Sequence, residues 1–159
     1  MTDKFIDRIK PDWTQIERIR QETQHFVEAR DFPRTVAEAV VMVLSELVEN
    51  AIKYGHYQSP DDKIAYSLAI GRDSIIVEVT NPFAENENFQ ELDRTIQWIR
   101  GYQNPFQAYV EKVKEIAGRP LADMQSGLGL VRIAYQGQAI IDFYLKNDNS
   151  IAVSAVYHL

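Results

Sequence analysis

Glu46, Glu49, Asn50 and Lys53 fall at i, i+3, i+4 and i+7 within one of the most apolar stretches of the chain. On a helix they form one narrow polar stripe. A carboxamide oxygen such as that of Asn50 is a hard, neutral donor, the kind that Mg²⁺ takes while keeping several of its waters. A lysine one turn later can neutralise a phosphate. A glutamate one turn earlier can orient and deprotonate a water or hydroxyl, the general-base role in phosphoryl transfer. Together these residue types suit a magnesium-bound triphosphate. The same stripe also fits the solvated face of a partly exposed helix, and spacing alone does not separate the two.

A second feature lies further along, at Ser126-Gly127-Leu128-Gly129-Leu130. Glycines let a backbone approach an anion closely, and a helix that follows them offers free N–H groups and the positive end of its dipole. Two glycines in five residues are equally compatible with an ordinary loop entering a helix.

These groups need elements to hold them. Val36, Val40, Val43, Leu44, Leu47, Ala51 and Ile52 make the stretch from Val36 to Tyr54 apolar over most of a helix circumference, so this helix should be largely buried. Thr35 with Glu38 reads as a capping box that opens it, and Gly55 ends it. Before it, residues 4–10 suit a short edge strand stopped by Pro11, and Trp13 to Arg30 keeps helical spacing. After it, Lys63–Ile70 and Ser74–Thr80 are rich in Ile, Val and Tyr and form a hairpin through Gly71-Arg72-Asp73, with Asn81-Pro82 closing the second strand.

Residues 83–125 differ in character. Asn86–Tyr102 predicts a helix, and Asn104 followed by Pro105 opens another that ends at Gly118 and Pro120. The aromatics Phe89, Trp98, Tyr102, Phe106 and Tyr109 are expected as core between these two helices. A short helix through about Gln136 and a last hairpin, Ala139–Leu145 with Ser150–Tyr157 turning through Asn147-Asp148-Asn149, complete the chain. The expected fold class is α+β, a two-layer sandwich of a mostly antiparallel sheet with helices on one face. One domain spans 1–159, with a helical insertion or lid at about 83–125.

Composition narrows the chemistry further. With 159 residues, 45% hydrophobic and 25% charged, the chain is of ordinary globular make-up and is long enough to bury a core without a metal or disulfide staple. It has no cysteine, which removes thiolate metal sites and thiol catalysis. His25, His56 and His158 lie far apart, without metal-ligand spacing. A formal charge of −6 and no basic cluster argue against nucleic acid and anionic membrane as partners. No secretory signal or membrane span is evident, so a cytoplasmic location is expected.

Leu44 to Gly55, continuing to Tyr57, resembles the N-box of the GHKL ATPases, and is most similar to that of the bacterial anti-sigma factor serine kinases. Gln125 to Val131 resembles the second glycine box of the same family. The resemblance covers nearly the whole chain, and it implies the Bergerat fold, with ATP and Mg²⁺ as cofactors. It also implies Glu46 as general base, Asn50 as magnesium ligand and Lys53 as a phosphate contact. The backbone of Ser126, Gly127, Leu128 and Gly129 would cradle phosphates beneath a lid. The family's first glycine box opens with an Asp that accepts the adenine amino group. Here Asn81 stands at that position, Pro82 follows, and no glycine occurs between Gly71 and Gly101.

The function implied is that of a serine/threonine protein kinase in a partner-switching system. Its partners would be a sigma factor or an anti-sigma antagonist-like protein, and the resemblance also implies a homodimer. The alternative is a catalytically degenerate interaction module of the same fold, with weak or no ATP binding.

Overall fold

The computed structural model describes residues 3–84, 87–118, 128–147 and 149–159. Strand β1 (Asp3–Ile9) leads through a single 3₁₀ turn into α1 (Ile16–Glu28), followed by α2 (Arg34–Tyr54), β2 (Ile64–Ile70) and β3 (Ser74–Pro82). Helices α3 (Glu87–Arg100), α4 (Pro105–Ala117) and α5 (Leu128–Tyr135) precede β4 (Ala139–Asn147) and β5 (Ser150–His158). The strands form one antiparallel sheet in the order β1-β2-β3-β5-β4. The expected α+β class, the two hairpins and the edge position of the first strand are all present.

Strand alternation decides which face is covered. Ile64, Tyr66 and Leu68 of β2 and Ile75, Val77 and Val79 of β3 point inward and are buried, against Val40, Val43, Leu44, Leu47 and Val48 of α2. Helix α2 lies over the middle of the sheet, with α1 on one side of it and α5 on the other. Val131 and Ile133 of α5 complete this core.

Three expectations are corrected. Thr35 and Glu38 form no capping box, because the helix begins two residues earlier, at Arg34, with Pro33 at its N-cap (φ −57°, ψ 150°). Pro33 supplies no side-chain acceptor, its carbonyl takes the N–H groups of Val36 and Ala37, and Glu38 pairs with Arg34 at 3.0 Å.

The second correction concerns β3, which does not close before Asn81-Pro82 but continues through both, paired with Ile151 and Ser150 of β5. A proline is tolerated there because pairing with β2 has already ended at Thr80, so no ladder donor is missed on that side. Pro82 O accepts instead from His56 N–H at 3.0 Å.

Thirdly, three of the aromatics of 83–125, Phe89, Phe106 and Tyr109, do not pack between α3 and α4. Phe89 meets Phe83 (5.5 Å between centroids) and Phe143 (5.9 Å), while Phe106 and Tyr109 meet Tyr135 of α5. Trp98 meets Tyr102, two residues beyond the end of α3, and the Lys112 ammonium of α4 lies 5.7 Å from the Trp98 ring centre. Phe89 thus finds its aromatic partners at the sheet, and Phe106 and Tyr109 find theirs in α5, while Trp98 is the ring that faces the other helix of the pair. Asp148, at the expected last turn, lies outside the described residues.

Candidate functional site

The middle of α2 is buried by its Val and Leu positions, so the polar stripe has little access to water except where another element leaves room. Helix α5 arrives at this place. A Cβ built on Gly129 would stand 2.5 Å from Glu46 Oε2 and 3.9 Å from Asn50 Oδ1. Only a residue without a side chain lets the first turn of α5 come this close to both groups. The two motifs, 80 residues apart in sequence, are thus one place in the fold.

Glu46 is 14% exposed and accepts a hydrogen bond from Arg132 Nη1 at 2.9 Å. Arg132 stands three residues after Gly129, one turn along α5, so the helix that closes over the carboxylate also carries its counter-charge. Burial pushes the Glu46 carboxyl above its ordinary value, and repulsion from Glu49 adds to this. Arg132, and after it Arg20, pull it back. The net result is a carboxylate of raised proton affinity, a property suited to a general base.

Asn50 opens onto a cleft that runs between α2, the end of β3 and α3. Its walls are mostly apolar (Leu47, Ala51, Val79, Phe83, Phe89 and Leu92 among them), and Asn81 lies in it along with Asn50. Asn81 is 6% exposed. Its Nδ2 donates to Pro82 O at 2.7 Å, so Oδ1 is the group this amide can turn to a ligand as an acceptor. An apolar slot with one buried acceptor has the form of a site for a flat heterocycle bearing an amino group.

The other residues singled out in the sequence are placed as follows. Glu49 turns away from the cleft to Arg20 of α1, 3.4 Å from Nη2. Lys53 is exposed, and its ammonium lies 5.0 Å from the ring centre of Tyr54, a cleft-lining residue. Leu128 begins α5, whereas Ser126 and Gly127 lie outside the described residues. The stripe of four therefore divides, with Glu46 and Asn50 meeting Gly129 while Glu49 and Lys53 face other neighbours.

Arg132 escaped the sequence reading. Its one local signal was its position, a single helical turn after Gly129. Phe83 and Phe89 also line the cleft, where the sequence suggested only core for Phe89.

The donor set fits a nucleotide with Mg²⁺. Asn50 offers a neutral oxygen, Gly129 leaves the space that a Cβ would fill, and Asn81 ends an apolar slot. None of the helices of the described residues is long and apolar enough to cross a membrane.

No curated protein matches the sequence. Among solved structures, a chain in the crystal structure of the SiaB-SiaC complex from Pseudomonas aeruginosa is similar in fold. It has 20% sequence identity and a TM-score of 0.74, and the likeness covers 96% of this chain and 89% of that one. Residues 9–133 match the family of the histidine kinase-like ATPase domain, and to that family this chain belongs.

Proposed function

We propose that the protein binds Mg·ATP in the cleft between Asn50 and Asn81 and acts as a regulatory serine/threonine protein kinase of the anti-sigma factor type. The observation that carries this reading is the contact of Gly129 with Glu46 and Asn50, which joins a candidate base, a candidate metal ligand and a glycine-bearing helix start at the mouth of one apolar slot. Bound Mg·ATP would supply the transferable phosphoryl group. Asn50 would hold the metal through its amide oxygen, Asn81 would accept from the base amino group, and the turn at Gly129 would lie against the phosphates. Lys53, exposed at the rim, would add a cation. Glu46 would orient the attacking hydroxyl of a partner protein and take its proton, the role its raised proton affinity suits.

A protein substrate is supported in kind by the fold neighbour, which was solved in a two-protein complex. The expected partners are a sigma factor or an antagonist protein that carries the acceptor serine or threonine, in the cytoplasm.

The second reading is a non-catalytic interaction module. It is favoured by the Glu46–Arg132 pair, in which the base is already engaged by a guanidinium, and by Asn81-Pro82 in place of a glycine box.

Calorimetric titration with ATP and ADP, with and without Mg²⁺, separates the two. Micromolar, Mg²⁺-dependent binding that is lost in Asn50→Ala supports the kinase reading, after which Glu46→Gln should keep binding and lose phosphotransfer. Absence of binding at millimolar nucleotide would leave only the interaction module.

A further inference from the structure

Arg132 has a capacity that its bond to Glu46 leaves unused. A guanidinium carries five N–H donors. Here Nη1 donates to Glu46 Oε1 at 2.9 Å and Nε to Gln136 Oε1 at 3.3 Å. Both hydrogens of Nη2 and one of Nη1 have no partner among the described residues. The Arg132 side chain is 38% exposed and that of Glu46 only 14%, so the unused donors lie on the accessible member of the pair. A planar fork with parallel N–H groups to spare is the side chain best able to grip a phosphate.

The neighbouring cations are placed elsewhere. Arg20 is held at 3.4 Å by Glu49, which turns away from the cleft. Lys53 stands seven residues after Glu46, about 10 Å further along a helix axis, and its ammonium lies by the ring of Tyr54. Arg132 instead stands one turn from Gly129, whose missing Cβ lets α5 come against Glu46 Oε2 and close to Asn50. It is thus the cation at the end of the site where the glycine leaves room for phosphates, and it already holds the candidate base by Oε1.

We propose that Arg132 reads the terminal phosphate, passing from Glu46 to the γ-phosphoryl oxygens when a triphosphate is bound and staying on Glu46 when a diphosphate is. This rests on the nucleotide reading of the cleft. The handover follows from charge: a terminal phosphoryl carries about two negative charges, Glu46 at most one, and both compete for one guanidinium. With a diphosphate no such competitor reaches Arg132, and Oε1 of Glu46 stays occupied. The Glu46–Arg132 pair is then the resting form of the base, relieved by the nucleotide that the reaction needs. The terminal phosphate falls to Arg132, and Lys53 remains a cation of the rim.

The test is calorimetric titration with ADP and with the non-transferable β,γ-methylene analogue of ATP, each with Mg²⁺. The wild-type chain should prefer the triphosphate. Arg132→Gln should bind the analogue about tenfold more weakly while ADP affinity stays within about twofold, so that the preference is lost. Retained ADP binding also shows that the variant folds. Arg132→Lys, which keeps the charge without the fork, should recover part of the preference. Lys53→Gln should weaken both ligands alike. Glu46→Gln, which no longer competes for the guanidinium with a charge, should bind the analogue more tightly and ADP unchanged. The proposal is overturned if Arg132→Gln keeps the preference or loses ADP as much as the analogue, if Lys53→Gln abolishes the preference, or if Glu46→Gln gains nothing. A wild type that binds both nucleotides alike overturns it while sparing the nucleotide reading, whereas one that binds neither overturns that reading and the role of Arg132 with it.

Discussion

Replacing Gly129 with alanine sets two effects of opposite sign against each other, and the structure says which should win. Gly129 lies in the first turn of α5 with no left-handed φ. On backbone grounds alone, alanine should therefore stabilise the protein by about 0.4–1 kcal/mol. The added Cβ, however, would stand 2.5 Å from Glu46 Oε2. That carboxylate cannot simply swing aside, because it is 14% exposed and bonded to Arg132 at 2.9 Å. Forcing extra volume into such a place costs about 1–3 kcal/mol. The net expectation is a loss near 1 kcal/mol, about 2–4 °C in Tm for a domain of this size.

The same substitution made in a Glu46→Ala background meets no carboxylate, and there it should stabilise by about 0.5 kcal/mol. Urea denaturation of the four proteins of this double-mutant cycle reads the sign reversal directly. If Gly129→Ala stabilises the otherwise wild-type chain, or if its effect is the same with and without Glu46, the close approach of α5 to α2 is wrong. The joining of the two motifs falls with it.

Other perturbations test neighbouring parts of the site. Asn81→Asp removes the Nδ2 donor from Pro82 O and sets a carboxylate beside a carbonyl in a buried position. It should lower stability by about 1–3 kcal/mol in the absence of ligand, while a charge-assisted bond to a base amino group tightens ATP by up to about tenfold. Unchanged thermal unfolding would remove the Asn81–Pro82 contact. For Glu46 the sign of the pH effect is fixed by its raised folded-state pKa. The folded state holds the proton more tightly, so the contribution is full below the unfolded value of 4.5 and is lost as pH rises through the folded one. Relative to Glu46→Gln, the wild type should therefore lose stability between acidic and neutral pH, and a pH-independent difference would mean that Glu46 titrates normally. Tyr57→Phe deletes the hydroxyl that donates to Ala51 O at 2.7 Å beyond the end of α2. It should cost about 0.5–1.5 kcal/mol in chemical denaturation, and no cost would show that water replaces the bond.

The parts of this fold that were legible in the sequence are those fixed within one element. The relation of Glu46 to Asn50 is a property of helix period and needs no tertiary information. The hairpins announce themselves through β-branched runs flanked by turn residues. What escaped depended on a second element whose extent is not written locally. Pro82 looks like a strand terminator until β2 is known to stop pairing at Thr80, after which nothing asks Pro82 for a donor. The aromatics of 83–125 look, from sequence, like core between two successive helices. Here Phe89 is claimed by Phe83 and Phe143, and Tyr109 by Tyr135, because the sheet and α5 offer apolar surface closer at hand. The capping box failed for a smaller reason, since Pro33 caps the helix two residues early.

Arg132 illustrates the same limit at the site itself. It lies 86 residues from Glu46, and an arginine after a glycine-rich helix start has many possible partners. Once α5 is packed, the pairing is nearly forced. Gly129 must face α2 because only a hydrogen fits there, and the residue one turn on must then face α2 as well. What α2 presents at that level is Glu46, a carboxylate short of water and pushed toward protonation by Glu49. A guanidinium is the side chain best suited to such a group, being permanently charged and weakly hydrated. One helix therefore serves both halves of the site, since its first turn leaves the space above Asn50 and its next turn sets a counter-charge against Glu46. The proton affinity of the candidate base is thus set by how α5 sits, and any displacement of α5 changes it.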